Sequence, residues 1–239
     1  MKILFVGNSH TFFNDMPQTT ADLVKAATGR NPEVMMLAYS GRTLEWHRNE
    51  YYSLRFALLY GDFDWCVLQD RAHPFAGKEA LLDEGSKMID FCRRNHTTPL
   101  VMTSWARKNE PWIQNEMNDA FRALKEQEQV LLAPVGEIWQ IVQREHPELP
   151  LYADDGAHAS PYGSYLEAVT ICCVITGCDP AILPSIGRDF HREKRGLKKA
   201  GGQKTQEKAT EEKGKCLVEL DESFCSILRL TVKKYLVSL

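Results

Sequence analysis

The sequence predicts a doubly wound α/β domain: a flavodoxin-like, five-stranded parallel sheet with helices on both faces. Three observations carry this. Short apolar runs rich in β-branched residues alternate with longer amphipathic stretches. Several of the runs are apolar throughout, as strands buried on both faces of a parallel sheet are. The stretch between successive runs is long enough for a helix, so right-handed crossovers are the expected connections.

In chain order the strand-length runs are Lys2–Val6, Glu33–Ala38, Trp65–Gln69, Pro99–Ser104 and Val130–Pro134. Leu81, Met88, Ile89 and Cys92 recur at helical spacing, as do Ile113, Met117, Phe121 and Leu124. Ser160-Pro161 has the form of an N-cap followed by proline in the first turn, opening a helix through about Thr176. The composition then changes. Arg188–Lys215 holds ten Lys/Arg against five Asp/Glu and almost no large apolar residues, which predicts a solvated, flexible run. Helical periodicity returns over Leu217–Leu239 through Leu220, Phe224, Ile227, Leu228, Thr231 and Tyr235. The expected division is a core domain over 1–185, a charged flexible insert over 186–216 and a docking helix over 217–239.

Composition narrows the function classes. With 44% hydrophobic and 26% charged residues, the chain reads as an ordinary globular protein. A net charge of -3 gives no footprint for wholesale phosphate binding, so no nucleic-acid partner is expected. No apolar run is long enough to span a bilayer, so no membrane partner is expected either. The apolar run Ile3–Val6 is too short for a signal-peptide core. Seven cysteines, none in a CxxC pair, fit free thiols in a reducing compartment. The expectation is a cytoplasmic protein; the oligomeric state stays open.

Two segments carry chemistry. The first strand runs into Gly7-Asn8-Ser9-His10-Thr11, and ligands bind beyond the carboxyl ends of strands in a doubly wound sheet. By itself this is equally a simple strand-end turn, since the same residue types dominate turns. The second segment is Asp154-Asp155-Gly156-Ala157-His158, just before the last core helix. A serine hydroxyl needs a base, histidine suits that task near neutral pH, and the histidine needs a carboxylate to set its tautomer. The three-residue spacing favours Asp155 as that carboxylate, with Asp154 as the fallback.

Together these segments resemble the SGNH (GDSL-like) serine hydrolases. Ile3-Leu4-Phe5-Val6-Gly7-Asn8-Ser9-His10-Thr11 is similar to their nucleophile block, in the variant reading Gly-Asn-Ser, and Asp155-Gly156-Ala157-His158 resembles their terminal Asp-x-x-His block. The resemblance covers roughly residues 2–180. It implies a Ser9/His158/Asp155 triad, an esterase or deacylase working through an acyl-enzyme, and no cofactor or metal. It also implies oxyanion donors from the Ser9 amide and the Gly41 amide. A third donor in that family is an asparagine; here Val67-Leu68-Gln69-Asp70 departs, and Gln69 aligns with it. The substrate class ranked first is a small-molecule or carbohydrate ester, with O-acetyl groups on carbohydrate foremost.

Other residues are weaker candidates. His10 and Trp105 could line a substrate pocket, and Arg42 or Arg107 could meet an anionic group. Trp46 and His47 read as packing or surface residues, and His73 has no assignable role. Three alternatives stay open: a catalytically weak or inactive binding module on the same fold, a nucleotide-binding α/β protein, and a metal hydrolase using His10, Asp155 and His158. Neither a GxGxxG nor a P-loop lysine signature supports the second, and no ligand spacing supports the third.

Overall fold

The computed structural model describes residues 1–50, 52–189 and 217–238. Strand β1 (Lys2–Gly7) leads through α1 (Ser9–Phe12) and a 3-10 turn (Phe13–Asp15) into α2 (Met16–Thr28). Then follow β2 (Glu33–Ala38), α3 (Leu44–Glu50), α4 (Tyr52–Tyr60), β3 (Trp65–Leu68) and α5 (Lys78–Arg94). Next come β4 (Thr98–Met102), α6 (Gln114–Glu128), β5 (Leu131–Ala133), α7 (Val135–Glu145) and α8 (Pro161–Thr176). Two short strands, β6 (Ile186–Arg188) and β7 (Leu217–Glu219), precede the last helix, α9 (Glu222–Val237).

The five main strands form one parallel sheet in the order β2-β1-β3-β4-β5, the doubly wound order the alternating pattern predicts. Period-two alternation assigns each strand residue to a face. Ile3, Phe5, Val67, Leu100 and Met102 face a core shared with α2, α7, α8 and α9. Leu4, Val6, Cys66, Leu68 and Val101 face a second core beneath α3 to α6. These strands are apolar on both sides because both sides are covered. Each fully buried large side chain contributes roughly 1.5–3 kcal/mol, so the sheet is fixed from two directions. The two edge strands are the exceptions: Met35 and Met36 in β2 and Leu131 in β5 are each more than 40% exposed.

The charged run is folded at its start. Ile186–Arg188, assigned by composition to the flexible insert, pairs antiparallel with Leu217–Glu219. Arg188 is buried, bonding Asp22 at 2.7 Å, Asp15 at 3.5 Å and Thr19 Oγ1 at 3.3 Å. A single arginine with two carboxylate partners outweighs the local composition there. The expected flexibility of residues 190–216 lies outside the described residues. Helix α9 packs through Cys225, Leu228 and Val232 into the first core.

Candidate active site

The site lies where β1 ends. Gly7 is required by close approach: a methyl group there would sit 2.3 Å from Thr11 Oγ1 and 2.8 Å from Gln69 Oε1. Asn8 then caps α1, its Oδ1 accepting from the His10 amide at 3.1 Å. Its Nδ2 donates to the Arg42 carbonyl at 3.0 Å, and its own amide donates to Gln69 Oε1 at 3.2 Å. Ser9 opens the helix directly above this brace. His47 completes it from below, with Nε2 2.7 Å from the Gly7 carbonyl.

Ser9 Oγ lies 2.8 Å from His158 Nε2, and His158 Nδ1 lies 2.5 Å from Asp155 Oδ2. Asp155 is acceptor-only when ionised, so Nδ1 carries the proton and Nε2 is left to accept from the serine. Asp155 Oδ1 accepts the amides of Ala157 and His158, each at 2.9 Å. Burial pushes this carboxyl up, but the His158 ring and the two amides outweigh it and hold it at about 2. Asp155, rather than Asp154, therefore orients the ring. The loop bearing them leads into α8, where Ser160 caps the helix through the Tyr162 and Gly163 amides.

The expected oxyanion donors divide. Gly41 sits at φ +69° in a turn closed by the Arg42 amide on the Tyr39 carbonyl, a left-handed position that suits glycine. Among the described residues, neither the Ser9 nor the Gly41 N–H has a hydrogen-bond partner. Gln69 differs. It is 1% exposed, and its Oε1 accepts from Asn8 and, at 3.1 Å, from the Thr11 hydroxyl. Its Nε2 donates to the Asp70 carbonyl and lies 3.5 Å from Ser104 Oγ. The Asn8 N–H can only donate, which fixes the orientation of the amide. Gln69 thus braces the Gly7–Thr11 turn from beneath, with its donors engaged inside the fold.

Trp105 does not line a pocket. It is fully buried, stacks on Trp139 at 4.2 Å and donates from Nε1 to the Ala157 carbonyl at 2.9 Å, so it offers no face to a substrate. His10 is nearer the chemistry: its ring lies 5.2 Å from His158, 5.0 Å from His73 and 4.7 Å from Trp105. Burial, then the neighbouring His73 and His158, hold His10 well below the usual imidazole range. Burial and the Arg107 charge lower His73 to about 4. Both rings are neutral near pH 7. Arg42 stands 5.0 Å over the Trp46 ring. Among the described residues no three His, Cys, Asp or Glu side chains are grouped to hold a metal ion, and His10, Asp155 and His158 form no such cage.

Sequence reasoning missed four supporting residues. Phe13 stacks on the His158 ring at 4.1 Å and 9°. Asn14 Nδ2 donates to the Ala159 carbonyl and to Ser164 Oγ, both at 3.0 Å. Asp70 accepts the amides of Leu44 and Arg71, and His47, expected to be a packing or surface residue, bonds the Gly7 carbonyl. Apart from the Arg71 amide, these partners lie 26 or more positions away in the chain, so no local motif marks them.

No protein-family model matches the chain, and no curated protein matches it. Solved structures do. A protein of Slackia heliotrinireducens assigned to the SGNH hydrolases superposes with TM-score 0.63 at 25% identity, covering 73% of this chain and 98% of its own. A DUF4886 family protein of Bacteroides uniformis gives TM-score 0.67 at 14% identity over 99% and 95%. A single-substitution mutant of an acetyl-xylooligosaccharide esterase from Geobacillus gives 0.55 at 13% over 73% and 91%. The chain has the SGNH/GDSL-like fold.

Proposed function

We propose that this protein is a serine hydrolase acting on carboxylic esters, with Ser9 as nucleophile, His158 as base and Asp155 as its orienter. The observation that carries the reading is the unbroken hydrogen-bond chain from Ser9 Oγ through the His158 ring to Asp155, at 2.8 and 2.5 Å. Ser9 Oγ attacks the ester carbonyl while His158 Nε2 takes its proton. The oxyanion that forms faces the Ser9 and Gly41 amides, each donor lowering the barrier by roughly 3 kcal/mol. His158 then returns the proton to the departing alcohol. A water molecule, deprotonated by the same nitrogen, releases the acid and restores Ser9. The residues call for no metal or organic cofactor in these steps.

An O-acetylated carbohydrate is the substrate class we favour. The likeness to an acetyl-xylooligosaccharide esterase supports it, and a small-molecule ester is the wider class. We place the protein in the cytoplasm, a reading supported by the free thiols of the described cysteines. Among the described residues no helix is long and apolar enough to cross a membrane.

Labelling with a fluorophosphonate probe, alongside turnover of short-chain aryl esters, tests the mechanism. Wild type labels at Ser9, and Ser9→Ala or His158→Ala loses about 10⁴-fold or more in kcat with the fold intact. Full activity in Ser9→Ala would sink the mechanism. The internal engagement of Gln69 favours one second reading, a weakly active or inactive binding module. A folded wild type that neither labels nor turns over any ester selects it.

A further inference from the structure

We infer that the Phe13–Asn14 turn belongs to the working site: Asn14 pins the backbone that carries His158, and Phe13 holds the face of its ring, stabilising the imidazolium formed as Ser9 gives up its proton. The inference rests on His158 being the base.

The turn is built for this contact. Asn14 adopts φ +52° and ψ +24°, a left-handed conformation that asparagine tolerates better than most residues. The kink sends its side chain, buried within the fold, across to a segment about 145 residues away. Its Nδ2 meets the Ala159 carbonyl, one residue past His158, and Ser164 Oγ on α8. Ser164 Oγ in turn lies 3.3 Å from the Phe13 carbonyl, closing the link. The nucleophile segment and the histidine segment are thereby joined by side-chain bonds independent of the Ser9–His158 contact.

Phe13 supplies the second part. Its ring lies parallel to the imidazole at 4.1 Å, within cation–π range of a charged ring. The electron-rich face attracts an imidazolium more than a neutral imidazole, so the contact strengthens as the proton arrives. Other groups near the ring are accounted for. Asp155, from the same loop, bonds Nδ1. His10 from α1 and His73 from the loop after β3 are neutral near pH 7, and Arg107 from the loop after β4 opposes charge on both. Lys108 borders the same loop through its backbone bond to Gly156, its positive charge disfavouring rather than favouring a charged ring, and Asp15 pairs with Arg188. Asp155 and Phe13 are thus the contacts that favour a positive ring, one in its plane and one on its face.

The test uses Phe13→Leu, Phe13→Trp and Asn14→Gly, the last keeping the left-handed backbone while removing the clamp. With 4-nitrophenyl acetate, Phe13→Leu is expected to lower kcat about fivefold with KM nearly unchanged. The acid limb of its kcat/KM profile should move to lower pH by about half a unit. Phe13→Trp restores both. Asn14→Gly lowers kcat about tenfold without moving the acid limb, because it loosens position rather than charge. NMR titration of the His158 imidazole, assigned through His158→Gln, reads the same shift without turnover. An unmoved titration in Phe13→Leu, or equal losses in the Leu and Trp variants, overturns the inference. Absent labelling and turnover in wild type would instead sink the esterase reading, while the NMR titration still decides this one.

Discussion

Gln69 separates bracing from catalysis at a single residue. Its Oε1 takes two hydrogen bonds in a buried position. Gln69→Ala therefore leaves the Asn8 amide and the Thr11 hydroxyl unpaired, at a cost of about 1–3 kcal/mol. In a chain of this size that lowers Tm by several degrees, roughly 2–10 °C. A donor aimed at the oxyanion would behave differently, costing about 10²–10³ in kcat with Tm preserved. Calorimetry beside steady-state kinetics on this variant distinguishes the two, and the structure leads us to expect the loss in Tm. Ser9, His158 and Asp155 were legible because each lies in a compact motif with its own chemical logic. Gln69 was legible only as a strand-end carboxamide. Its partners come from the first strand's turn, 58 and 61 positions away, and spacing cannot reveal a fold-made contact.

At the scale of elements, α8 positions the histidine loop because it can approach the chain before it closely. A methyl group at Gly163 would lie 2.3 Å from the Leu151 carbonyl and 2.6 Å from the Trp139 ring. Backbone cannot move aside as a side-chain end can. Gly163→Ala is therefore expected to destabilise the fold by about 1–3 kcal/mol and to lower kcat as the Asp155–His158 loop shifts. Denaturant unfolding and kinetics on the variant check both; an unchanged midpoint would mean the helix start has slack. The main strands were readable because apolar, β-branched runs need burial on both faces, and α8 because Ser160-Pro161 announces a helix start. β6 and β7 were not. Each is three residues long, and β6 ends in an arginine whose burial depends on Asp22 and Asp15 in a distant helix and turn. Likewise α1 read as a turn, since four residues show no period.

The whole molecule should respond to pH in two opposed ways. His10 and His73 are held neutral by burial, with His73 lowered to about 4. The unfolded chain takes up protons below about 6.5 that the folded chain refuses. Stability therefore falls as pH drops from about 6.5 toward 4, and His73→Gln should flatten that decline. Glu167 in α8 works the other way. It is fully buried, and burial raises its carboxyl well above the ordinary range. The folded chain keeps a proton that the unfolded chain releases above about 4.5. Above about pH 4.5 this group's contribution falls as pH rises, and above about 6.5, where the two histidines no longer oppose it, Glu167→Gln should flatten the decline. Melting temperatures of the three proteins across pH 4–8.5 test both; a Glu167→Gln curve parallel to wild type would refute the second assignment.

The three bonds made by Asn8 have a consequence for how the site meets a ligand. One side chain and one amide tie together the loops after β1, β2 and β3, and a free carboxamide hydrogen is needed for the tie to Arg42. An aspartate at this position would face that carbonyl with negative charge and could not make the bond. The Gly-Asn-Ser spelling is thus matched to its neighbours rather than interchangeable with Gly-Asp-Ser. These ties form when the polypeptide first folds, so a ligand arriving at Ser9 would meet loops whose ordering entropy has already been met.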